Sequence, residues 1–431
     1  MKLSVIGTGY LGATHAAAMA ELGHDVVGVD VDETKIARLS AGQVPFYEPG
    51  LPELLSKQVA TGRLRFTTSL GEIADADVHF VCVGTPQQLG EFAADMTDVD
   101  AAFTSVAEHV RPGTVVVGKS TVPVGSAARL ARVVRAGGAE LVWNPEFLRE
   151  GFAVQDTLRP DRIVIGVEQP QAGELLERVY ATILEAGTPL VVTDFATAEL
   201  VKVAANSFLA TKISFINAMA EVCEATGADV VELANAIGHD ERIGHKFLRA
   251  GLGFGGGCLP KDIRAFMARA GELGVDQAVS FLRNIDEINQ RRRARMVDLA
   301  REICDGSLAG RRVGILGAAF KPESDDIRDS PALDVAVAIQ RSGAAVRVYD
   351  PQAMGNAKDT YPTLAYAPSA LEACAEADVV LHLTEWAEFR SLRPAGLAEV
   401  VREQNILDGR NVLDPVEWRA AGWTFRALGR P

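Results

Sequence analysis

The sequence predicts an α/β protein with two Rossmann-like doubly wound domains, joined by a long central helix in an all-helical middle domain. Two observations carry this prediction. A strand, a glycine turn, a helix and a second strand ending in an acid follow one another at 2–32, and the same layout returns at 311–351. Between them, residues 197–227 contain no proline and no internal glycine, which predicts one long helix. The domain boundaries that we expect are 1–196, 197–300 and 301–431.

Length and charge exclude several classes of protein. A chain of 431 residues is too long for one ordinary core. The formal charge of −14 argues against a general nucleic-acid binder, although it leaves room for a small anionic ligand. The sequence has no run of about 18 apolar residues, so we expect no membrane span. The N-terminal stretch continues directly into a fold signature, so we do not interpret it as a signal peptide.

The five cysteines are odd in number and show no CxxC spacing. We therefore expect no disulfide, no metal site and a cytoplasmic location. Four cysteines lie in apolar strand or helix patterns, where a small buried side chain is the expected role: Cys82, Cys223, Cys304 and Cys374.

The first strand ends in a dinucleotide-binding turn, G-x-G-x-x-G. Gly7 permits the tight turn, Gly9 lets the backbone approach a pyrophosphate, and Gly12 lets helix and strand pack closely. Asp30 follows 23 residues after Gly7, where an acid reaches a ribose 2′-hydroxyl and repels a 2′-phosphate, so NAD is favoured over NADP. Lys35 either flanks the same ribose or is an ordinary surface lysine.

Further strands end in loops of small residues. In an open parallel sheet, ligands gather where the carboxyl ends of the strands meet such loops. Each polar residue at these ends is a candidate by position, and each alone is equally explained as a turn or helix-cap residue. The candidates are Thr85, Thr121, Asn144, Glu146 and Glu150.

A glycine-rich stretch, GFGGGCLPKD at 253–262, contains the remaining cysteine. Cys258 lies just before an amphipathic helix and near Lys261, an electropositive place that favours a thiolate. One reading is therefore a nucleophile, and the other is a cap loop with a small buried cysteine and Asp262 as the helix N-cap. A thiol in an NAD enzyme indicates aldehyde-to-acid oxidation through a thiohemiacetal and a thioester.

The long helix carries Lys202 and Asn206 four residues apart, hence on one face. They are either solvated or directed at the thiol. In the C-terminal third, Gly317 is followed by Ala318, so the dinucleotide fingerprint is absent and a different phosphate ligand is expected. Its candidate cations, each of which is otherwise an ordinary surface charge, are Lys321, Arg328 and Arg410.

With these segments together, the chain resembles the UDP-glucose/GDP-mannose dehydrogenase family nearly from end to end. The motifs that carry the resemblance are GTGYLG at 7–12, VGTP at 83–86, KSTVPVG at 119–125, NPEFLREG at 144–151, AELVKVAANSFLATKISFIN at 198–217, GFGGGCLPKD at 253–262, FKPESDDIRDSP at 320–331 and DGRN at 408–411.

The resemblance implies NAD-dependent, four-electron oxidation of the C6 alcohol of UDP-glucose to the carboxylate. It further implies an NAD-binding first domain, a dimerisation domain with the cysteine loop, and a UDP-sugar-binding third domain. By resemblance the catalytic residues are Cys258, Lys202, Asp262, Asn206, Glu146 and Thr121. The first general base is left open between Lys202 and Asp262 acting through water.

The cofactor contacts implied by the resemblance are Gly7, Gly9, Tyr10, Leu11, Gly12, Asp30, Lys35, Thr85, Thr121, Glu150, Lys261 and Arg328. The implied substrate contacts are Glu146, Phe147, Leu148, Arg149, Glu150, Lys202, Asn206, Arg242, Phe247, Leu248, Arg249, Ala250, Gly251, Gly255, Lys321 and Arg410. Arg242 matches an arginine that in the family reaches the nucleotide of a neighbouring subunit. A homo-oligomer, at least a dimer, is therefore expected, without membrane or nucleic-acid partners.

Three alternatives stay open beside this reading. The same chemistry on another nucleotide sugar, GDP-mannose or UDP-N-acetylmannosamine, would use the same residues. A two-electron hydroxy-acid dehydrogenase would be indifferent to Cys258, and a non-catalytic sugar sensor would require decay at Cys258, Lys202 or Asp262. One departure from the family is Gly257, which stands where a serine is usual.

Overall fold

The computed structural model describes residues Met1–Pro431. The chain divides into two compact units, Met1–Ala205 with Arg264–Asp276, and Asn206–Ile263 with Gln277–Pro431. The α/β fold class with Rossmann-like parallel sheets and a helical central segment is confirmed. The division into three domains stays a prediction beside these two units.

An eight-stranded sheet forms the first unit, in the order β3-β2-β1-β4-β5-β6-β7-β8. Its pairs are parallel except β6 with β7, and its first six strands follow the order of a dinucleotide-binding fold. The strands are β1 Lys2–Ile6, β2 Asp25–Val29, β3 Leu64–Thr67, β4 Val78–Val81, β5 Val115–Gly118, β6 Glu140–Trp143, β7 Ile163–Val167 and β8 Leu190–Thr193.

Helices cover both faces of this sheet, so the residues of its central strands are buried whichever way they point, whereas β8 is partly exposed. Val115 and Val117 belong to one apolar cluster, whereas Val116 and Trp143 belong to the other. The helices are α1 Tyr10–Glu21, α2 Glu33–Ser40, α3 Leu51–Ala60, α4 Thr97–Ala107, α5 Ser126–Ala136, α6 Ala153–Leu158, α7 Pro170–Val179 and α8 Ala181–Glu185, with a 3₁₀ turn at Leu70–Ile73.

The central segment is helical, as predicted. Its first helix, α9, spans Phe195–Thr226, within two residues of the predicted range, and its 32 residues are about 48 Å long at about 1.5 Å per residue. The others are α10 Val230–Gly238, α11 Leu259–Glu272 and α12 Phe281–Ile303, with a 3₁₀ turn at Asp276–Val279. None of the helices in the chain combines the length and apolar character that a bilayer span needs.

A six-stranded parallel sheet in the second unit repeats the same winding, in the order β11-β10-β9-β12-β13-β14. The strands are β9 Arg312–Leu316, β10 Ala345–Tyr349, β11 Ala365–Tyr366, β12 Val379–His382, β13 Asn405–Asp408 and β14 Thr424–Ala427. The helices are α13 Pro331–Arg341, α14 Met354–Thr360, α15 Ala370–Cys374, α16 Ala387–Arg390, α17 Pro394–Ala398 and α18 Pro415–Ala420.

The first glycine turn allows a matched test of close packing. A Cβ on Gly12 would lie 1.8 Å from the carbonyl oxygen of Gly7, so Gly12→Ala forces β1 and α1 apart. We expect a loss of roughly 1–3 kcal/mol in unfolding free energy, measured by urea denaturation.

Gly9→Ala is the control, since a Cβ on Gly9 meets nothing within 4 Å and its φ of −69° suits alanine. Its stability should stay within about 0.5 kcal/mol of the wild type. Equal stability of the two variants would contradict the packing argument.

Candidate active site

The dinucleotide turn has the geometry that the glycine pattern predicts. Gly7 has a φ of 85°, in the left-handed region that favours glycine, and α1 begins at Tyr10. The open space around Gly9 leaves the helix N-terminus accessible to a pyrophosphate. The residues present therefore fit NAD at this turn.

Asp30 lies beside this turn at the end of β2. Its carboxylate accepts hydrogen bonds from the Thr8 amide at 2.8 Å and from Lys35 Nζ at 2.9 Å. Burial acts to raise the pKa of Asp30, but these hydrogen bonds outweigh it and hold the pKa below its usual value. Lys35 is therefore paired with the predicted ribose acceptor, and its own contact with the ribose stays a prediction.

The predicted cofactor residue Tyr10 has a structural partner that the sequence did not reveal. Its hydroxyl donates to Glu48, which is 1% exposed and also accepts from two backbone amides. Gly151 N donates to Glu48 Oε2 at 2.6 Å, and Ala153 N donates to Glu48 Oε1 at 2.7 Å. Glu48 thus fixes the loop after β6 against the start of α1. Its only sequence signal is an acid in a loop.

The loops after β4 and β5 meet, as expected for neighbouring parallel strands. Thr85 donates its hydroxyl to the carbonyl of Thr121 at 2.8 Å, and Thr85 is buried whereas Thr121 is half-buried. This hydrogen bond joins two residues predicted to lie near the cofactor. Leu11 and Glu150, from the same prediction, are half-buried.

Glu146 lies in the loop after β6 and forms an ion pair with Lys119, which directly follows β5. The distance from Lys119 Nζ to Glu146 Oε2 is 3.0 Å. Burial acts to raise the pKa of Glu146, but the ammonium of Lys119 holds it below its usual value. Lys119 is absent from the predicted site, because a lysine in a strand-end motif gives no sign that its side chain is buried.

Phe147 lies next to Glu146 and contacts two cations. Arg162 lies 3.8 Å from the centroid of its ring, and Lys202 Nζ lies 5.5 Å from it. The structure thus brings two predicted substrate residues, Phe147 and Lys202, together. Leu148 is half-buried beside them, and Arg149 forms an exposed ion pair with Asp156 at 2.6 Å.

The cysteine loop presents its thiol to solvent. Cys258 is exposed, whereas the other four cysteines are buried as predicted. It directly precedes α11, and the Asp262 amide donates to its carbonyl at 2.9 Å. The positive end of the helix dipole therefore lies at Cys258. The interpretation of Cys258 as a small buried side chain is wrong.

Asp262 is not the N-cap of this helix, because α11 begins three residues earlier, at Leu259. Its carboxylate is 2% exposed and accepts from Asn206 Nδ2 at 2.6 Å and from Lys261 Nζ at 2.7 Å. Asn206 is itself 7% exposed, so its interpretation as a solvated residue is wrong. The pair joins α9 to α11 within the second unit.

Side chains distant in sequence hold the backbone of the cysteine loop. The amide of Asn289 bonds both the N–H and the carbonyl of Phe254 at 2.8 Å. Arg293 donates to the same carbonyl at 3.0 Å, and Arg410 donates to the carbonyl of Gly253 at 3.0 Å. Arg410 therefore acts on the loop in addition to its predicted substrate role. Asn289 and Arg293 were not predicted from the sequence.

Arg328 packs against the glycine that replaces the family's usual serine. A Cβ on Gly257 would lie 2.3 Å from Arg328 Cζ, so the guanidinium occupies the space of a side chain at that position. Arg328 Nη2 also donates to Asp326 at 2.7 Å. Two predicted cofactor contacts, Lys261 and Arg328, thus both lie next to the cysteine loop.

The remaining predicted substrate residues differ in exposure. The side chain of Arg242 is 88% exposed and pairs with Asp240, and Arg249 is also exposed. Leu248 and Ala250 pack in an apolar cluster with α9 and α10, so they offer a ligand only their backbone. Of the others, Phe247 has a φ of 65°, and the amide of Gly251 donates to Asn217. Gly255 is buried, and the ammonium of Lys321 lies 5.2 Å from the centroid of the Phe320 ring.

No cluster of three or more His, Cys, Asp or Glu side chains is placed to bind a metal ion. The reactive and ligand-binding features are a dinucleotide turn in the first unit and an exposed thiol at a helix N-terminus in the second unit. These features are those of an NAD-dependent oxidoreductase.

The chain belongs to the UDP-glucose/GDP-mannose dehydrogenase family. The family's NAD binding domain matches residues 1–184, its central domain matches 196–291, and its UDP binding domain matches 314–415. NAD is therefore the cofactor, and a nucleotide sugar is the substrate.

Individual relatives match over the whole chain. A UDP-glucose 6-dehydrogenase from Rhizobium meliloti is 43% identical, with full coverage of both chains. The structure of a UDP-glucose dehydrogenase from Pyrobaculum islandicum is 38% identical with a TM-score of 0.91, covering 100% of this chain and 98% of that one. A UDP-D-ManNAc dehydrogenase from Pyrococcus horikoshii is 27% identical with a TM-score of 0.88, covering 100% and 99%.

Two glycines of the cysteine loop should respond differently to substitution. A Cβ on Gly255 would lie 2.2 Å from the backbone oxygen of Asp329, which cannot move alone, so Gly255→Ala should lose roughly 1–3 kcal/mol. Thermal and urea unfolding of the full chain measure this loss.

Gly257→Ser is the matched variant, because it displaces only the flexible end of Arg328. Its stability should remain within about 0.5 kcal/mol of the wild type. A larger loss for Gly257→Ser than for Gly255→Ala would show that Arg328 is held rigidly.

Proposed function

We propose that this chain oxidises the C6 alcohol of UDP-glucose to the carboxylate of UDP-glucuronate in two successive NAD-dependent steps. The observation that carries the proposal is the exposed thiol of Cys258 at the N-terminus of α11, in a chain of an NAD-dependent family. The relatives named for UDP-glucose oxidation support this sugar, at 43% and 38% identity. The UDP-D-ManNAc relative, at 27%, makes that sugar the second candidate.

The thiol accounts for four-electron chemistry. The first oxidation removes a proton and a hydride from the C6 alcohol and leaves an aldehyde. The thiolate of Cys258 adds to the aldehyde carbon and forms a thiohemiacetal, whose oxidation gives a thioester. Water then attacks the thioester carbon, the C–S bond breaks toward sulfur, and the carboxylate is released. Two NAD molecules, bound one after the other at the dinucleotide turn, would supply the hydride acceptors for the two oxidations.

The proposed roles follow the family's pattern. Lys202, or Asp262 through water, takes the proton of the first oxidation, and Asn206 supplies an amide donor. The hydrogen bond from Asn206 to Asp262 supports these two roles, because it fixes both groups in one arrangement. Thr121 and Glu150 lie near the nicotinamide in this proposal, and Glu146 assists hydrolysis of the thioester.

The sugar nucleotide is held by the remaining residues of the family's pattern. We assign its uridine diphosphate to the second unit, with Lys321 and Arg410 as the principal cations. The family's UDP binding domain, which covers residues 314–415, supports this assignment. The loops at 146–150 and 247–251 complete the binding of the sugar.

We further propose a cytoplasmic homo-oligomer. Three exposed apolar side chains recur at seven-residue intervals on α9, and such a stripe supports a subunit interface: Phe208, Phe215 and Val222. Sedimentation of the full chain should show a dimer or a larger assembly, and a monomer at micromolar concentration would contradict the interface.

The decisive experiment counts NADH formed per limiting UDP-glucose in the presence of excess NAD. We expect two NADH per sugar for the wild type, measured by absorbance. Cys258→Ala should form no carboxylate and at most one NADH per sugar, because the thioester cannot form.

Cys304→Ala is the matched control, since Cys304 is 2% exposed and has no proposed role. It should retain both oxidations. Full conversion to the acid by Cys258→Ala would refute the covalent mechanism. Two NADH per UDP-N-acetylmannosamine, with none from UDP-glucose, would move the proposal to the second sugar.

A further inference from the structure

A lysine with no assigned role is buried at the carboxyl edge of the first sheet. The side chain of Lys119 is 4% exposed, and its backbone amide donates to Val81 at 3.0 Å as the sheet ladder ends. A buried ammonium is costly unless an opposite charge and hydrogen-bond acceptors surround it. Lys119 must therefore be explained by what it contacts.

Two acceptors surround the Lys119 ammonium, Glu146 Oε2 at 3.0 Å and Asn144 Oδ1 at 3.1 Å. Tyr180 donates its hydroxyl to the same Asn144 oxygen at 2.8 Å. Asn144 Nδ2 in turn donates to the Val164 carbonyl at 2.8 Å. The lysine is thus held by a side-chain network whose other end is anchored on β7.

The carboxylate of Glu146 is fixed at both oxygens. Its Oε1 accepts from the amides of Phe147 at 2.7 Å and Leu148 at 3.0 Å, whereas its Oε2 faces Lys119. The side chain remains 19% exposed, so it is anchored from behind and still reaches water. A general base needs such an arrangement.

The other titratable groups that face the pair are neutral near neutral pH. Burial raises the pKa of Cys82 to about 12 and that of Tyr180 to about 12. Burial also lowers the pKa of His15 well below its usual value. Lys202 is the remaining charge that acts on Glu146, and its effect is weaker than that of Lys119. Lys119 is therefore the principal counter-ion of Glu146.

We propose that Lys119 is a positioning residue for thioester hydrolysis, which orients Glu146 and keeps it as the carboxylate that receives the proton of the attacking water. In this step the C–O bond to water forms, the C–S bond breaks with its electron pair going to sulfur, and the water proton passes to Glu146. The inference rests on the proposed function, because it needs a thioester.

The sign of the pH dependence follows from the contacts. With Lys119 present, the pKa of Glu146 lies below its usual value, so the base form persists into acid. Without Lys119, the burial of Glu146 is offset only by its backbone amide donors and the weaker effect of Lys202, so its pKa rises. The acid limb of the hydrolysis rate should therefore move to higher pH.

The test is Lys119→Met, which keeps the length of the side chain and removes its charge. Both NADH of the first turnover should form at the wild-type rate, because they precede hydrolysis. Steady-state turnover at pH 7 should then fall at least about tenfold, since a positioned base contributes about 10²–10⁴-fold. Acid quench and intact mass spectrometry should detect the accumulated acyl-enzyme.

Two further variants separate positioning from general damage. Lys57→Met removes an ion pair of similar length, 2.8 Å to Glu21, on the exposed surface of the same unit, and it should change nothing. Glu146→Gln should slow hydrolysis, and adding Lys119→Met to it should cause little further loss, because both substitutions act on one group.

Several outcomes would overturn the inference. One is wild-type turnover and an unmoved acid limb in Lys119→Met. If Lys119→Met does not fold, the pH profile of hydrolysis by the wild-type enzyme is the test. An acid limb at or above pH 4.5, the pKa of an ordinary glutamate, would contradict a lowered pKa of Glu146. No NADH from the wild type with any nucleotide sugar would instead overturn the proposed function and this inference with it.

Discussion

The site depends on one constraint. In a parallel sheet covered by helices on both faces, a charged side chain on a central strand would be buried, which is costly. Polar groups can reach a ligand only where the strands end. In the first unit, Asp30 follows β2, Lys119 follows β5 and Asn144 follows β6, whereas the buried residues of the strands are mostly apolar. Charges that gather at this edge must satisfy one another, and the ion pair of Lys119 with Glu146 is the buried result.

The second sheet obeys the same constraint but uses its acid differently. Asp350 follows β10 as Asp30 follows β2, and it is 1% exposed. It accepts from the amides of Ala318 at 2.8 Å and Ala319 at 3.0 Å, and from Trp386 Nε1 at 3.1 Å. The indole N–H thus donates to the carboxylate that a ribose hydroxyl would need as its acceptor. The absent glycine fingerprint and this internal hydrogen bonding agree that the second turn is not a dinucleotide site.

Local sequence patterns predict the secondary-structure elements, but they do not predict side-chain contacts between residues far apart in the sequence. The glycine turn, the sheet winding, the bounds of α9 and the burial of four cysteines follow from residue type and spacing. The hydrogen bond from Asn206 to Asp262 joins residues 56 apart, and Glu48 contacts an amide 103 residues away. No periodicity encodes such pairs. For the same reason the helix-cap reading of Asp262, which its residue type suits, is wrong, because α11 begins at Leu259 and the fold brings Asn206 to the Asp262 carboxylate.

The cysteine loop shows how a glycine-rich backbone suits the nucleophile that we propose. At Gly253, a Cβ would lie 2.2 Å from the Asn289 side chain, and at Gly256 it would lie 2.7 Å from the Phe320 ring, so neighbouring side chains enclose the loop and hold it still. The thiol itself stays exposed. Fixing the backbone while leaving the reacting atom accessible reduces the entropy lost on reaction. At Gly257 the enclosing group is the guanidinium of Arg328, which is paired with Asp326, so a positive charge lies where a side chain at this position would otherwise extend.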